Sequence, residues 1–217
     1  MKPVQNNNNY QRPIRIEVCG GIASGKTTLA QLLNDAGIDA VFEDFQSNPF
    51  LNLYYSDLDR YAFEAEITFL LQHYNCIKVK SEHSPVLVCD FSLYLDSAYA
   101  SVTLRETSHQ AYRAVYDEVK RYIGSPDLLV YLHSSGNTSL QRIRDRNREF
   151  ERSIQIEFLE AINKALEYYV NEGENDSKVI RVDSEKYNFA ADEKVRKELV
   201  AVIIDSLNAT HSIEEFK

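Results

Sequence analysis

Residues 20–27 read Gly20-Gly21-Ile22-Ala23-Ser24-Gly25-Lys26-Thr27 and fill every fixed position of the phosphate-loop pattern G-x-x-x-x-G-K-[ST]. This is the tightest constraint in the chain, because the pattern works only as a sharp turn between a strand and a helix. The flanks meet that demand. Ile14 to Cys19 is a β-branched apolar run, and Thr27 to Asn34 has a helical pattern. The chain holds only seven glycines in 217 residues, yet three of them fall within these six positions, 20–25. Such economy marks a backbone that needs them. Backbone N–H groups from Gly20 through Gly25 can wrap phosphates, and a helix N-terminus at Lys26, Thr27 and Thr28 adds positive potential. Lys26 is expected to reach the β- and γ-phosphates, and the Thr27 hydroxyl to hold Mg²⁺. The loop by itself specifies only a nucleoside triphosphate.

Four further apolar runs read as strands: Ala40 to Phe42, Val86 to Cys89, Leu128 to Leu132 and the weaker Val179 to Val182. Helical patterns lie between them, at Asp57 to Ile77, Tyr94 to Ile123, Leu140 to Arg146, Ile154 to Val170 and Ala191 to Leu207. Strands alternating with helices specify an α/β fold, a five-stranded parallel sheet flanked by helices. No repeat or Pro/Gly/Ser linker divides the chain, so residues 14–210 are expected to form one domain after a disordered polar tail, residues 1–13. No apolar run approaches the ~18 residues of a membrane span. The net charge of −9 argues against a general nucleic-acid or anionic-membrane coat. Cys19, Cys76 and Cys89 lack metal-pair spacing, and Cys19 and Cys89 read as small core residues. With no signal-peptide pattern, the expectation is a reducing cytoplasm.

Two acidic positions end expected strands. Asp90 follows Val86 to Cys89, and Glu43-Asp44 follows Ala40 to Phe42. In open α/β sheets ligands bind at that carboxyl edge. Asp90 suits a Mg²⁺–water network or the catalytic centre. A carboxylate at Glu43 can take a proton from an attacking hydroxyl, or it can be a solvated turn. Five of the 13 arginines fall between Arg142 and Arg152. Arg142 and Arg146, and Arg144 and Arg148, are four apart and would share helix faces. The segment reads either as an ion-paired helix or as an arginine-rich lid, about 142–152, that brings guanidinium forks to a transferring phosphoryl group. The phosphate loop favours the lid.

Together, Phe42-Glu-Asp-Phe-Gln-Ser-Asn-Pro-Phe50, Cys89-Asp-Phe91 with Asp96 and Tyr99-Ala100, Pro126-Asp127 and the arginine segment resemble the deoxynucleoside kinase family, bacterial members most. The resemblance runs from about Ile14 to Phe189. It implies a P-loop kinase that moves the ATP γ-phosphate, with Mg²⁺, to a deoxynucleoside 5′-hydroxyl. It also implies a homodimer. By position, Glu43 is similar to the general base, and Tyr55 and Glu151 to the pair that grips the 3′-hydroxyl. Asp96 falls in the nucleoside pocket. Arg142, Arg146 and Arg148 match lid arginines, with Arg146 and Arg148 steadying the phosphoryl group. Asp90 matches the acid beside the metal. Asn188-Phe189 resembles the loop under the adenine of ATP.

The chain also departs from the family pattern. Phe91 stands where many relatives have arginine, and Leu95 where some have lysine. Glu66 replaces a base-reading glutamine, and His73 an arginine. Positions 62, 66, 69 and 73 form one helical stripe, so Glu66 and His73 either face the nucleoside or share a wetter face. An ionised Glu66 only accepts hydrogen bonds, which suits the two adjacent donors of guanine. It would cost adenine about 1–3 kcal/mol, tilting the site toward deoxyguanosine unless Glu66 is protonated. Two rival readings remain: a nucleoside monophosphate kinase, disfavoured by the missing cations, and a non-catalytic nucleotide-binding subunit.

Overall fold

The computed structural model describes residues 12–214, and side chains as far as residue 207. The expected tail, residues 1–13, lies outside them except for Arg12 and Pro13. Arg12 is tied down, donating to the Ser125 carbonyl and to Asp127, each at 2.9 Å.

In chain order the elements are β1 (Ile14–Cys19), α1 (Lys26–Asp35), β2 (Asp39–Val41), α2 (Leu51–Ser56), α3 (Leu58–Ser81), β3 (Val86–Cys89) and α4 (Leu93–Thr103). There follow α5 (Glu106–Ile123), β4 (Leu128–His133), α6 (Gly136–Arg146), α7 (Ile156–Gly173), β5 (Lys178–Asp183) and α8 (Glu193–Glu214). The strands form one parallel sheet in the order β2-β3-β1-β4-β5. Both faces are covered, as its continuous apolar strands require. Ile16, Val18, Val88 and Val130 pack with Leu29 and Leu33 of α1 and Ile203 of α8. On the opposite face Cys19, Leu129 and Tyr131 pack with α4 and α7 through Tyr94, Ala98, Ile162 and Leu166. Cys19 and Cys89 are buried free thiols, as expected of small core residues.

Three departures from the sequence reading matter for the site. The run from Tyr94 to Ile123 is two helices. Leu104 and Arg105 adopt extended backbone between them, and no Gly or Pro announces the break. Tertiary contacts decide it: Leu104 packs among Tyr54, Ala62 and Ala65, and Arg105 pairs with Asp59 at 2.9 Å. Second, a short helix, α2, precedes Asp57, whose side chain caps α3 by accepting from the Arg60 N–H at 3.3 Å. Third, the arginine segment is not one helix. α6 ends at Arg146, and Asn147 turns left-handed (φ 50°) with its N–H returned to the Ile143 carbonyl at 3.1 Å. Arg142 and Arg146 do lie four apart on α6, but Arg148 falls beyond it and shares no helix face with Arg144. Among the described residues no helix is long and apolar enough to cross a membrane.

Candidate active site

Parallel pairing brings the ends of β1, β3 and β2 to one edge of the sheet, with Glu17 opposite Cys89 and Cys89 opposite Val41. The residues just beyond, Gly20, Asp90 and Glu43, therefore converge. The loop after β1 is built as its glycines demand. A Cβ on Gly20 would lie 2.4 Å from Ser24 Oγ and 2.6 Å from the Leu132 carbonyl. Gly25, at φ +106°, opens α1 with no side-chain cap and no acid in the first turn. The helix N-terminus is thus left open toward the loop. Ser24 Oγ is buried without a hydrogen-bond partner among the described residues. Lys26 Nζ donates to the carbonyls of Gly20 at 2.9 Å and Gly21 at 3.1 Å. Its burial lowers its pKa, opposed chiefly by Glu43 and Asp90. Thr27 and Thr28 are exposed at the helix start.

A cavity of about 460 Å³ opens beside this loop. It gathers, from the residues expected at the site, Ile22, Ala23, Lys26, Thr27, Glu43, Tyr55, Glu66, His73, Asp90, Asp96, Arg146, Arg148 and Glu151. Asp90 anchors Glu43: its Oδ1 accepts the Glu43 backbone N–H at 2.6 Å. Burial raises the Asp90 pKa, while that N–H and the Thr27 hydroxyl pull the other way.

The base of the cavity is a three-residue line, buried at His73 and Asp96 and half-buried at Glu43. His73 Nε2 is 3.1 Å from Glu43 Oε1, and Nδ1 is 2.8 Å from Asp96 Oδ2. Its ring stacks on Phe91, centroids 4.0 Å apart and 6° from parallel. Burial alone would lower the His73 pKa, but the carboxylates of Asp96 and Glu43 outweigh it and push it up to about 10. His73 is therefore an imidazolium at neutral pH, with both N–H groups spent on carboxylates. Burial likewise works to raise Glu43, yet His73, Lys26 and Arg148 hold its pKa below the ordinary value. Phe91 is the flat surface on which the His73 ring lies.

Glu66 and His73 are each 4% exposed, so the stripe of α3 faces the cavity and not a wet surface. Glu66 Oε1 lies 3.2 Å from Thr103 Oγ1, and the buried Tyr54 hydroxyl faces the same carboxyl. Across the cavity Arg146 grips buried Glu151 with two hydrogen bonds, Nε to Oε2 at 2.7 Å and Nη2 to Oε1. Arg148 lies 4.4 Å over the Phe45 ring and 3.7 Å from Glu151. Tyr55 is half-buried against Phe150, with ring centroids 5.7 Å apart.

Outside the phosphate loop and the start of α1, three expected residues stand back from the cavity. Arg142 ties α6 to the phosphate loop and to the loop after β5, donating to the Ala23 carbonyl at 3.2 Å and the Ser184 carbonyl at 2.7 Å. Phe189 is core, packed beneath Gly25, whose added Cβ would meet the ring at 2.9 Å. Asn188 is exposed, its Oδ1 accepting from the Ala191 N–H at 3.2 Å. Sequence reasoning missed the cavity's aromatic walls Phe45, Phe69, Tyr99 and Phe150, and the partner Thr103. Isolated aromatics spread over a hundred residues carry no spacing signal. Only Phe69, on the stripe with Glu66 and His73, could have been found.

Glycine loop, open helix N-terminus, half-buried lysine and a carboxylate-lined cavity at the carboxyl edge of a parallel sheet define a P-loop phosphotransferase. The chain belongs to the deoxynucleoside kinase family: that family's model, described as "Deoxynucleoside kinase", matches residues 16–208. The chain is 28% identical to the deoxyguanosine kinase of Bacillus subtilis over 183 residues, 80% of this chain and 88% of that one. It is 30% identical to the deoxyadenosine kinase of Lactobacillus acidophilus over 207 residues, 88% and 95% of the two chains. A solved deoxyadenosine kinase from M. mycoides with bound dCTP superposes with a TM-score of 0.74 at 25% identity, covering 90% of this chain and 99% of that one.

Proposed function

We propose that this kinase phosphorylates the 5′-hydroxyl of a purine deoxynucleoside with ATP. The observation that carries the reading is the Glu43–His73–Asp96 line at the base of an aromatic cavity beside Lys26. It provides an ionised, oriented base, and it leaves His73 no N–H for an acceptor phosphate, since both are engaged. That favours a neutral nucleoside over a nucleoside monophosphate. The purine preference draws support from relatives named as deoxyguanosine and deoxyadenosine kinases.

In this reading Glu43 accepts the 5′-hydroxyl proton as the oxygen attacks the γ-phosphorus. His73 and the Asp90 contact hold its carboxylate in place. Lys26, Arg146 and Arg148 face the charge that spreads over the phosphoryl oxygens. Arg142 and the loop 188–189 border the nucleotide, and Tyr55 and Glu151 take the 3′-hydroxyl. Asp96 orients His73. The segment 142–152 acts as the lid that excludes water.

The residues present fit a Mg²⁺–nucleotide. The loop's backbone N–H groups and the partnerless Ser24 hydroxyl suit phosphate oxygens. No cluster of three or more metal-ligating side chains exists among the described residues, so Thr27 and phosphate oxygens would hold the ion. When bound, Mg²⁺ supplies neutralisation of the phosphate charge.

We read the enzyme as a cytoplasmic salvage kinase, a setting that three free thiols suit. We also read it as a homodimer. Leu71 and Val79 of α3 and Tyr122 of α5 are exposed, and light scattering should give about twice the 25.0 kDa chain mass. The deciding experiment is a panel of nucleosides and monophosphates with ATP–Mg²⁺. Phosphate should pass to purine deoxynucleosides; transfer to monophosphates alone, or to nothing, would overturn the reading.

A further inference from the structure

Glu66 lies in the cavity, and no cation among the described residues is bonded to it. The groups facing it are Tyr54 and Tyr55 from α2, His73 from its own helix, Asp96, Tyr99 and Thr103 from α4, and Tyr112 from α5. The only cation among these, His73, spends both N–H groups on Glu43 and Asp96. The Thr103 contact carries the sharper information. A hydroxyl owns one proton. Thr103 Oγ1 is 2.9 Å from the Tyr99 carbonyl, which can only accept, and 3.2 Å from Glu66 Oε1. Thr103 can therefore offer Glu66 at most one shared, neutral O–H at 3.2 Å, which leaves this buried carboxyl without a charge partner among the described residues.

We propose that Glu66 works as a neutral carboxylic acid, whose O–H and C=O together read the Watson–Crick edge of adenine, and that its ionisation narrows the site to guanine. The proposal rests on the reading that this cavity takes a deoxynucleoside base. In the acid form the carbonyl accepts from the adenine 6-amino group and the O–H donates to N1. The same pair can also meet guanine O6 and N1–H. The ionised form has two acceptors, which fit guanine N1–H and its 2-amino group but set an oxygen against the N1 lone pair of adenine. The surroundings agree. Burial, then the Asp96 charge, push Glu66 up to about 8, while Tyr54, Thr103 and His73 pull the other way. The guanine preference expected of an ionised Glu66 therefore belongs to alkaline solution.

The test is kcat/KM for deoxyadenosine and deoxyguanosine from about pH 6 to about pH 9. Ionisations that affect both substrates equally, such as those of Glu43, His73 and Lys26, cancel in the ratio. With Glu66 titrating at about 8, the deoxyadenosine-to-deoxyguanosine ratio should fall about tenfold between about pH 7 and about pH 9. In Glu66→Gln, whose amide does not ionise, the ratio should stay at the wild-type low-pH value throughout. A pH-independent ratio in active wild type, or the same fall in Glu66→Gln, would overturn this proposal alone. No turnover of either nucleoside at any pH would overturn the kinase reading and this proposal with it.

Discussion

Glu43 is fixed from two directions, by its backbone N–H on Asp90 and by its carboxylate on His73. Glu43→Gln keeps the shape and removes the proposed base, so kcat should fall by about 10²–10⁴. Nucleoside affinity, read by calorimetry, should change far less. His73→Gln removes the cation that offsets burial at Glu43, whose pKa must then rise. The acid limb of the kcat/KM profile should move to higher pH, and His73→Arg should move it back. A stability effect follows with definite sign. The folded His73 pKa is raised from 6.5 to about 10, so its stabilisation is complete below about 6.5 and is lost as pH rises toward about 10. The gap in melting temperature between wild type and His73→Gln should therefore shrink across that window.

Among the elements, α6 is tied by one side chain to two loops at the edge of the sheet. Arg142 fastens it to the phosphate loop through the Ala23 carbonyl and to the loop after β5 through Ser184. Arg142→Ala removes those charge-assisted bonds and leaves the Ala23 carbonyl without that donor. Steady-state kinetics should show KM for ATP up about ten- to hundredfold, given about 1.5–3 kcal/mol for bonds to charged groups, with a smaller change in kcat. The ends of α6 show how far element reading reaches. Its start was obscured because Ser135 caps it, accepting from the Thr138 N–H at 3.2 Å, before any apolar residue appears. Its end is set by Asn147 in the left-handed region. The break between α4 and α5 had no local signal at all, since it comes from where Leu104 packs.

At the scale of the molecule, the loop, Asp90 and Glu43 meet because β1, β3 and β2 are adjacent and parallel, so their carboxyl ends share an edge. Ligand binding there should stabilise the whole chain by mass action. ATP–Mg²⁺ at about a hundred times its Kd adds about 2.7 kcal/mol. For a domain of this size that raises the melting temperature by about 5–10 °C. Lys26→Ala should abolish the shift in a thermal melt.

The phosphate loop was fully legible because its function requires fixed residue types at fixed spacing in one continuous stretch, and so was the parallel α/β plan, because buried strands must be apolar throughout. Glu43 and Asp90 were legible as strand-end acids. The sequence showed that Phe91, Glu66 and His73 differ from the family pattern, but not what the differences amount to. That depended on distances between residues far apart in the chain. Only the folded chain lays His73 flat on Phe91 between Glu43 and Asp96, and buries Glu66 beside Asp96 and Thr103. Charge state is decided by burial and by neighbours brought together across the fold. The sequence by itself therefore determined where the glycine loop lies, and the tertiary structure decided which neighbours act on the titratable groups beside it.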